Sequence, residues 1–323
     1  MSRSISIDSI KALSIFGVVY IHASGLFDCS SVITTTLSQI FRFSVPFFII
    51  IWAYFLEKSY LKKTTTERRV YIYQRFKYLF IVYFAWSCIY FLFADKKDLT
   101  FIHALTKYFL GYGWAGQYYF MILFQLLVMY PLLRALMEHK LVVYICFLII
   151  CLMLLVYSYQ VISIPTSLLK LGDRPFVFWV PYVFLGIALA RNVLFKIPAY
   201  TLFLLLLIPV EFFYIYSNSE YLRISIYVAA SLSCAYFIQN PITITSTLLG
   251  KAIQFVGENT LIIFVSNPLI ILIIGMLNLS LYSWCSFVLF QVITPFIIVL
   301  IVMVSALALK FVIKKCGLTG VLF

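Results

Sequence analysis

Ten stretches of this sequence are apolar enough, and close enough to bilayer length, to be read as membrane crossings. They fall roughly at 9–27, 37–56, 78–94, 118–137, 141–159, 176–191, 198–216, 223–239, 253–274 and 284–309. A crossing needs about 20 mostly apolar residues. Hydrocarbon cannot satisfy an open strand edge, so each crossing is expected to be a helix. The predicted fold is therefore all-α, a polytopic transmembrane bundle of about ten spans. Only 11% of residues are charged, against about a quarter in a soluble domain. The longest connections, 57–77 and 95–117, are too short for a soluble domain, so the chain reads as a single membrane-embedded domain over 1–323.

Orientation follows from where Lys and Arg fall. With the N-terminus inside, 17 lie in or beside cytoplasmic segments, six lie outside, and Arg42 sits within a span. Basic residues accumulate on the cytoplasmic side, which puts both termini in the cytoplasm. The net charge of +13 then reflects topology and anionic lipid headgroups, and nucleic acid is not an expected partner. A cleaved signal peptide is disfavoured by Asp8 and by His22 within the first apolar run. The seven cysteines show no CxxC spacing and mostly lie inside spans. They read as small packing residues, with no metal site and no disulfide framework.

Ionisable residues inside a span cost about 2.5–3.5 kcal/mol on insertion scales, so each needs a reason. Asp8, Lys11 and His22 share the first span. Eleven steps of a helix make roughly three turns plus 20°, placing Lys11 and His22 on one stripe, about 16 Å apart in depth. Asp8 and Lys11 lie at the inner edge, where a purely structural pair is one reading. A histidine buried neutral with one hydrogen bond is the plain reading of His22. The common stripe favours a functional one.

Counted from the span ends, His22, Arg42, Glu211 and Asn267 all fall in the outer half at similar depth. Arg42 and Glu211 could neutralise each other. With His22 and Asn267 they could instead line a cavity that holds a polar substrate, with Gln125, Tyr118 and Tyr119 contributing. At the inner side, EKSYLKKTTTERRVYIYQRFK carries seven basic residues against two acids. Such a loop can serve topology alone. Alternatively Arg75 and Lys77, fixed by a helix, offer a phosphate-binding surface for a polyanionic cofactor. The segment 99–114 has helical spacing of apolar residues and could be an interfacial helix.

These segments resemble the acyltransferase-three membrane proteins, which modify glycans with acetyl and related groups. IDSIKALSIFGVVYIHA resembles that family's first helix, where a basic residue, ten intervening positions and a histidine match Lys11 and His22. FRFSVPFFIIIWAYF resembles its second helix, with Trp52-Ala53 where Ser-Gly is usual. QRFKYLFIVYFAWSCIYF is similar to its third, where two arginines three apart are common; here Arg75 fits, position 78 is Tyr, and Lys77 stands adjacent. QYYFMILFQLLVMYPLL and WVPYVFLGIAL resemble later helices. ENTLIIFVSNPLII resembles the penultimate one, with Asn267 where a histidine precedes the proline.

The resemblance implies transfer of an acyl group, acetyl in the first instance, from cytoplasmic acyl-CoA to a hydroxyl of a surface polysaccharide or lipid-linked glycan. It implies residence in the bacterial inner membrane, in a standalone form with no esterase-like extension. A sugar hydroxyl is a poor nucleophile at neutral pH, and an imidazole within hydrogen-bond reach can take its proton as it attacks. His22 is the expected catalytic residue. Lys11, Arg75 and Lys77 are expected to hold the cofactor, and Arg42, Glu211 and Asn267 the acceptor. Two other classes compete. A glycan exporter would show an internal repeat with helices broken at matching positions, and no such repeat is found. An inactive partner of a glycan synthase would keep the fold without transferring an acyl group.

Overall fold

The computed structural model describes residues 5–26, 31–93, 100, 102, 106–108, 111–161, 163, 165, 169–217, 219–241, 248–277, 288–318 and 322. Among them every regular element is a helix: α1 (Ile5–Leu26), α2 (Val32–Ile40), α3 (Ser44–Tyr60), α4 (Thr65–Leu92), α5 (Gln117–Leu136), α6 (Lys140–Tyr159), α7 (Val180–Ala190), α8 (Leu207–Tyr214), α9 (Ile224–Gln239), α10 (Leu248–Glu258), α11 (Thr260–Leu277) and α12 (Val288–Lys315). Tighter 3₁₀ segments, Phe41–Phe43, Phe176–Trp179 and Ala199–Leu206, lead into α3, α7 and α8. The segment 99–114, proposed as an interfacial helix, is described only in part: 99, 101, 103–105, 109 and 110, His103 among them, lie outside the described residues.

Among the described residues, six helical stretches are long and apolar enough to cross a membrane: α1, the joined α2–α3, α4, α5, α6 and α12. The other four of the ten expected spans are shorter or bent among the described residues. The stretches 176–190, 199–214 and 224–239 are shorter apolar helices; the last, at 16 residues, rises only about 24 Å. The span expected at 253–274 is broken, with α10 and α11 meeting at a 78° bend. The cause is local. A Cβ on Gly257 would stand 2.2 Å from the Asp8 carbonyl oxygen, so α10 is drawn across α1 at a contact only glycine allows. Asn259 fills the corner, its amide donating to the Phe255 carbonyl at 2.6 Å while its carbonyl accepts from Lys310.

Two boundaries also move. The second span begins at Val32, where the Ser31 hydroxyl accepts from the Thr34 N–H at 3.1 Å. The basic 57–77 segment is mostly helix. Thr64 and Glu67 form a capping box, the Thr64 N–H donating to Glu67 Oε2 at 2.8 Å, and α4 starts there. Arg68, Arg69, Arg75 and Lys77 thus ride on a helix.

α1 is the hub, packing against α3, α9, α10, α11 and α12. α3 packs most extensively on α7. A Cβ on Gly186 of α7 would lie 2.5 Å from the Ile50 carbonyl oxygen and 2.7 Å from the Ala53 Cβ. Small residues let backbones approach closely in membranes, where helix association relies on packing. α1 and α3 run antiparallel: Lys11 at the start of α1 lies over the Phe55 ring near the end of α3. The bundle therefore has a His22–Arg42 end and a Lys11–Glu57 end, roughly 22 Å apart along α3.

Candidate functional site

At the first end, Arg42 sits in the 3₁₀ turn before α3 and points its guanidinium inward. It is 9% exposed, and its Nη2 lies 2.5 Å from Oε2 of Glu220, which is 60% exposed. The Tyr221 ring faces the guanidinium at 4.8 Å and lies 6.1 Å from the Tyr118 ring. The turn that carries Arg42 packs against α1, the helix of His22. His22 is densely surrounded by protein, yet its side chain keeps part of its surface exposed. Four elements thus converge: α1 brings His22, the turn before α3 brings Arg42, α5 brings Tyr118, and the 215–223 connection brings Glu220 and Tyr221.

Short hydrogen bonds fix the connections. The Ser219 hydroxyl donates to Asp173 Oδ1 and accepts from the Leu222 N–H at 3.0 Å and the Tyr221 N–H at 3.2 Å. Trp179 Nε1 donates to the Asp173 carbonyl at 2.6 Å. Gln125 holds the same connection from α5, donating to the Arg174 carbonyl at 3.1 Å and accepting from the Phe176 N–H at 3.0 Å. Burial pushes the Asp173 carboxyl above its usual range, opposed by the Ser219 hydrogen bond and by Arg42. Gln125, expected to add to a cavity, spends its side-chain amide on this connection.

At the opposite end lies a buried ion cluster. Glu57, with 0% of its side chain exposed, accepts from Arg191 Nε at 2.8 Å, accepts from the Tyr130 hydroxyl, and pairs with Arg134 Nε at 3.4 Å. α3, α5 and α7 are thereby tied together at their ends. A pocket of ≈ 350 Å³ opens nearby, lined by Tyr54, Asn192, Lys196 and Gln239 among others.

The remaining expected residues are dispersed. Lys11 stands beside Asp8, Nζ to Oδ1 3.7 Å. Arg75 and Lys77 are exposed on α4, which packs mainly on α5, and Arg75 lies over its own helix's Tyr71 ring. Glu211 does not pair with Arg42. It accepts from the Tyr159 hydroxyl and, at 2.8 Å, from the Ser225 N–H, placing a carboxylate on the free N–H groups that begin α9. Arg42's counter-ion is Glu220, and Arg223 lies within electrostatic range of both carboxylates.

Asn267 repairs its own helix. Pro268 has no N–H, which frees the Phe264 carbonyl, and Asn267 Nδ2 donates to that oxygen at 2.7 Å. The Tyr90 hydroxyl enters the same gap, accepting from the Leu269 N–H at 3.0 Å and donating to the Val265 carbonyl at 2.8 Å. Asn267 Oδ1 is buried without a protein partner. Among the described residues no group of His, Cys, Asp and Glu could hold a metal ion.

A family model described as an acyltransferase domain matches residues 4–315, nearly the whole chain. The chain belongs to the acyltransferase-three family. Neither the curated proteins nor the solved structures give a match. Within this acyltransferase, the residues missed from the sequence are Glu220, Tyr221 and Asp173 at one end and Glu57, Arg134 and Arg191 at the other. Glu220 lies in a connection without periodicity. Glu57, Arg134 and Arg191 each look like ordinary flanking charges.

Proposed function

We propose that this membrane acyltransferase moves an acyl group, acetyl in the simplest case, from acyl-CoA to a hydroxyl of a surface polysaccharide or lipid-linked glycan. Its place would be the bacterial inner membrane, with the Lys11–Glu57 end cytoplasmic and the His22–Arg42 end outward. The observation that carries this reading is the packing of the Arg42 turn against the His22 helix at one end of an acyltransferase bundle. In the proposed reaction the His22 imidazole takes the proton of the acceptor hydroxyl as its oxygen attacks the thioester carbonyl. The carbonyl π pair moves onto oxygen, beside the Arg42 guanidinium. Collapse breaks the C–S bond, and the departing thiolate takes the proton back from His22. One ester and one thiol result.

Arg75 and Lys77, exposed on α4, suit the donor's phosphates, with Lys11 at the inner end of α1. The donor's flexible arm would cover the roughly 16 Å of helix between Lys11 and His22. Glu211, set apart from Arg42, would serve the acceptor only by ordering the start of α9 and its preceding loop. Asn267 would offer its free Oδ1.

The export reading has one observation in its favour, the 78° break between α10 and α11, since broken helices build transport sites. One assay decides between them. Purified protein in proteoliposomes is given acetyl-CoA labelled in the acetyl group, together with lipid-linked or polysaccharide acceptor. Labelled ester and free coenzyme A thiol are expected. Unconsumed acetyl-CoA with intact, folded protein would overturn the transferase reading.

A further inference from the structure

The Arg42–Glu220 pair is built unevenly. The cation is buried among aromatic rings, while the anion hangs from an exposed connection. A pair made for stability would be expected to bury both partners. An arginine presents a planar fork suited to grip a carboxylate or phosphate by two parallel bonds. Here Glu220 meets Nη2, and the Arg42 Nε is buried with no partner.

The anchors of the connection do not involve the Glu220 side chain. Ser219 ties the loop to Asp173 and caps its own turn, so Glu220 can rotate away without moving the backbone. Arg223 lies within electrostatic range of Glu220 and can receive it. The Tyr221 and Tyr118 rings wall the vacated position. A sugar ring that extends from an anionic group would lie against them.

We infer that Arg42 is the seat for an anionic group on the acceptor, a carboxylate or a phosphate, and that Glu220 fills this seat in the ligand-free chain. The acceptor is then an acidic glycan or a phosphate-bearing one. Neutral sugars have nothing with which to displace Glu220. This inference rests on the acceptor binding at the His22 end, as proposed above.

The test uses the purified full-length protein in detergent without any acyl donor, so its outcome does not depend on transfer activity. Binding of glucuronate, inorganic phosphate and glucose is measured for wild type, Glu220→Gln and the double variant Glu220→Gln/Arg42→Gln. Removing the internal competitor should tighten glucuronate or phosphate about tenfold, as expected when the competent state is a minor one. Glucose should be unchanged, and the double variant should lose the gain. The anion that gains more tells a carboxylate-bearing acceptor from a phosphate-bearing one. No gain for either anion, an equal gain for glucose, or a gain that survives in the double variant would overturn the inference. If wild type transfers acetyl yet Glu220→Gln gains nothing, the seat is wrong and the enzyme reading stands.

Discussion

At the scale of single residues, the buried charges separate into one group that binds the helices together and one that is free to act. Glu57 faces Arg191, Arg134 and Tyr130 with no exposed surface. Removing one partner of a buried pair strands the other charge and costs roughly 3–5 kcal/mol. Glu57→Gln should therefore destabilise by about that amount, because two guanidinium groups then face a neutral amide. Reversible denaturation in detergent micelles measures it, and a loss below about 1 kcal/mol would remove Glu57 as a tie. The stripe joining Lys11 to His22 could be read from helical arithmetic alone, because both lie on one continuous helix. The partner of Arg42 could not. Depth counting along spans found Glu211 at a similar level, but the counter-ion came from the connection after it, where no period constrains position. Asn267 was legible as buried and polar, although its bonds to Ile263 and Phe264 follow from the proline beside it.

At the scale of elements, apolar runs showed where helices lie and small polar motifs showed where they stop. The run at 253–274 is apolar enough to read as one span, and the break comes from Gly257 meeting the Asp8 backbone, a tertiary contact. The Gly-Glu-Asn sequence at 257–259 was the local hint. The start of α4 was likewise written in Thr64 and Glu67, a spacing that marks a helix N-terminus yet was overshadowed by the surrounding basic residues. Thr64→Ala should cost about 1 kcal/mol, seen as a lower denaturation midpoint. A wild-type midpoint would show that packing alone sets that boundary. The α3–α7 contact is stricter. Gly186→Val pushes branched carbons into the Ile50 carbonyl and Ala53, and overpacking of this kind costs about 1–3 kcal/mol. Tm by scanning fluorimetry should fall, and an unchanged Tm would mean that the two helices are not locked at this point.

At the scale of the whole molecule, the 17-to-6 distribution of Lys and Arg read from the sequence predicts the bundle's orientation. Cys316, exposed just beyond α12, should react with a membrane-impermeant maleimide in inside-out vesicles and be protected in right-side-out ones; the reverse pattern would invert the bundle and the assigned faces. Composition made the all-helical membrane class legible, because helices need only local bonds. It did not reveal that several apolar segments form shorter helices led by 3₁₀ turns, since mean apolarity does not register where a 3₁₀ turn or proline ends a helix. The central claim is that His22 is the base for acyl transfer. It is tested most directly by His22→Ala, reconstituted at matched folded amount beside wild type and assayed for labelled acetyl ester formed from acetyl-CoA. Loss of a general base typically costs 10²- to 10⁴-fold, so the variant should retain no more than about one hundredth of wild-type transfer while binding donor and acceptor normally. Transfer within a few-fold of wild type would contradict the account.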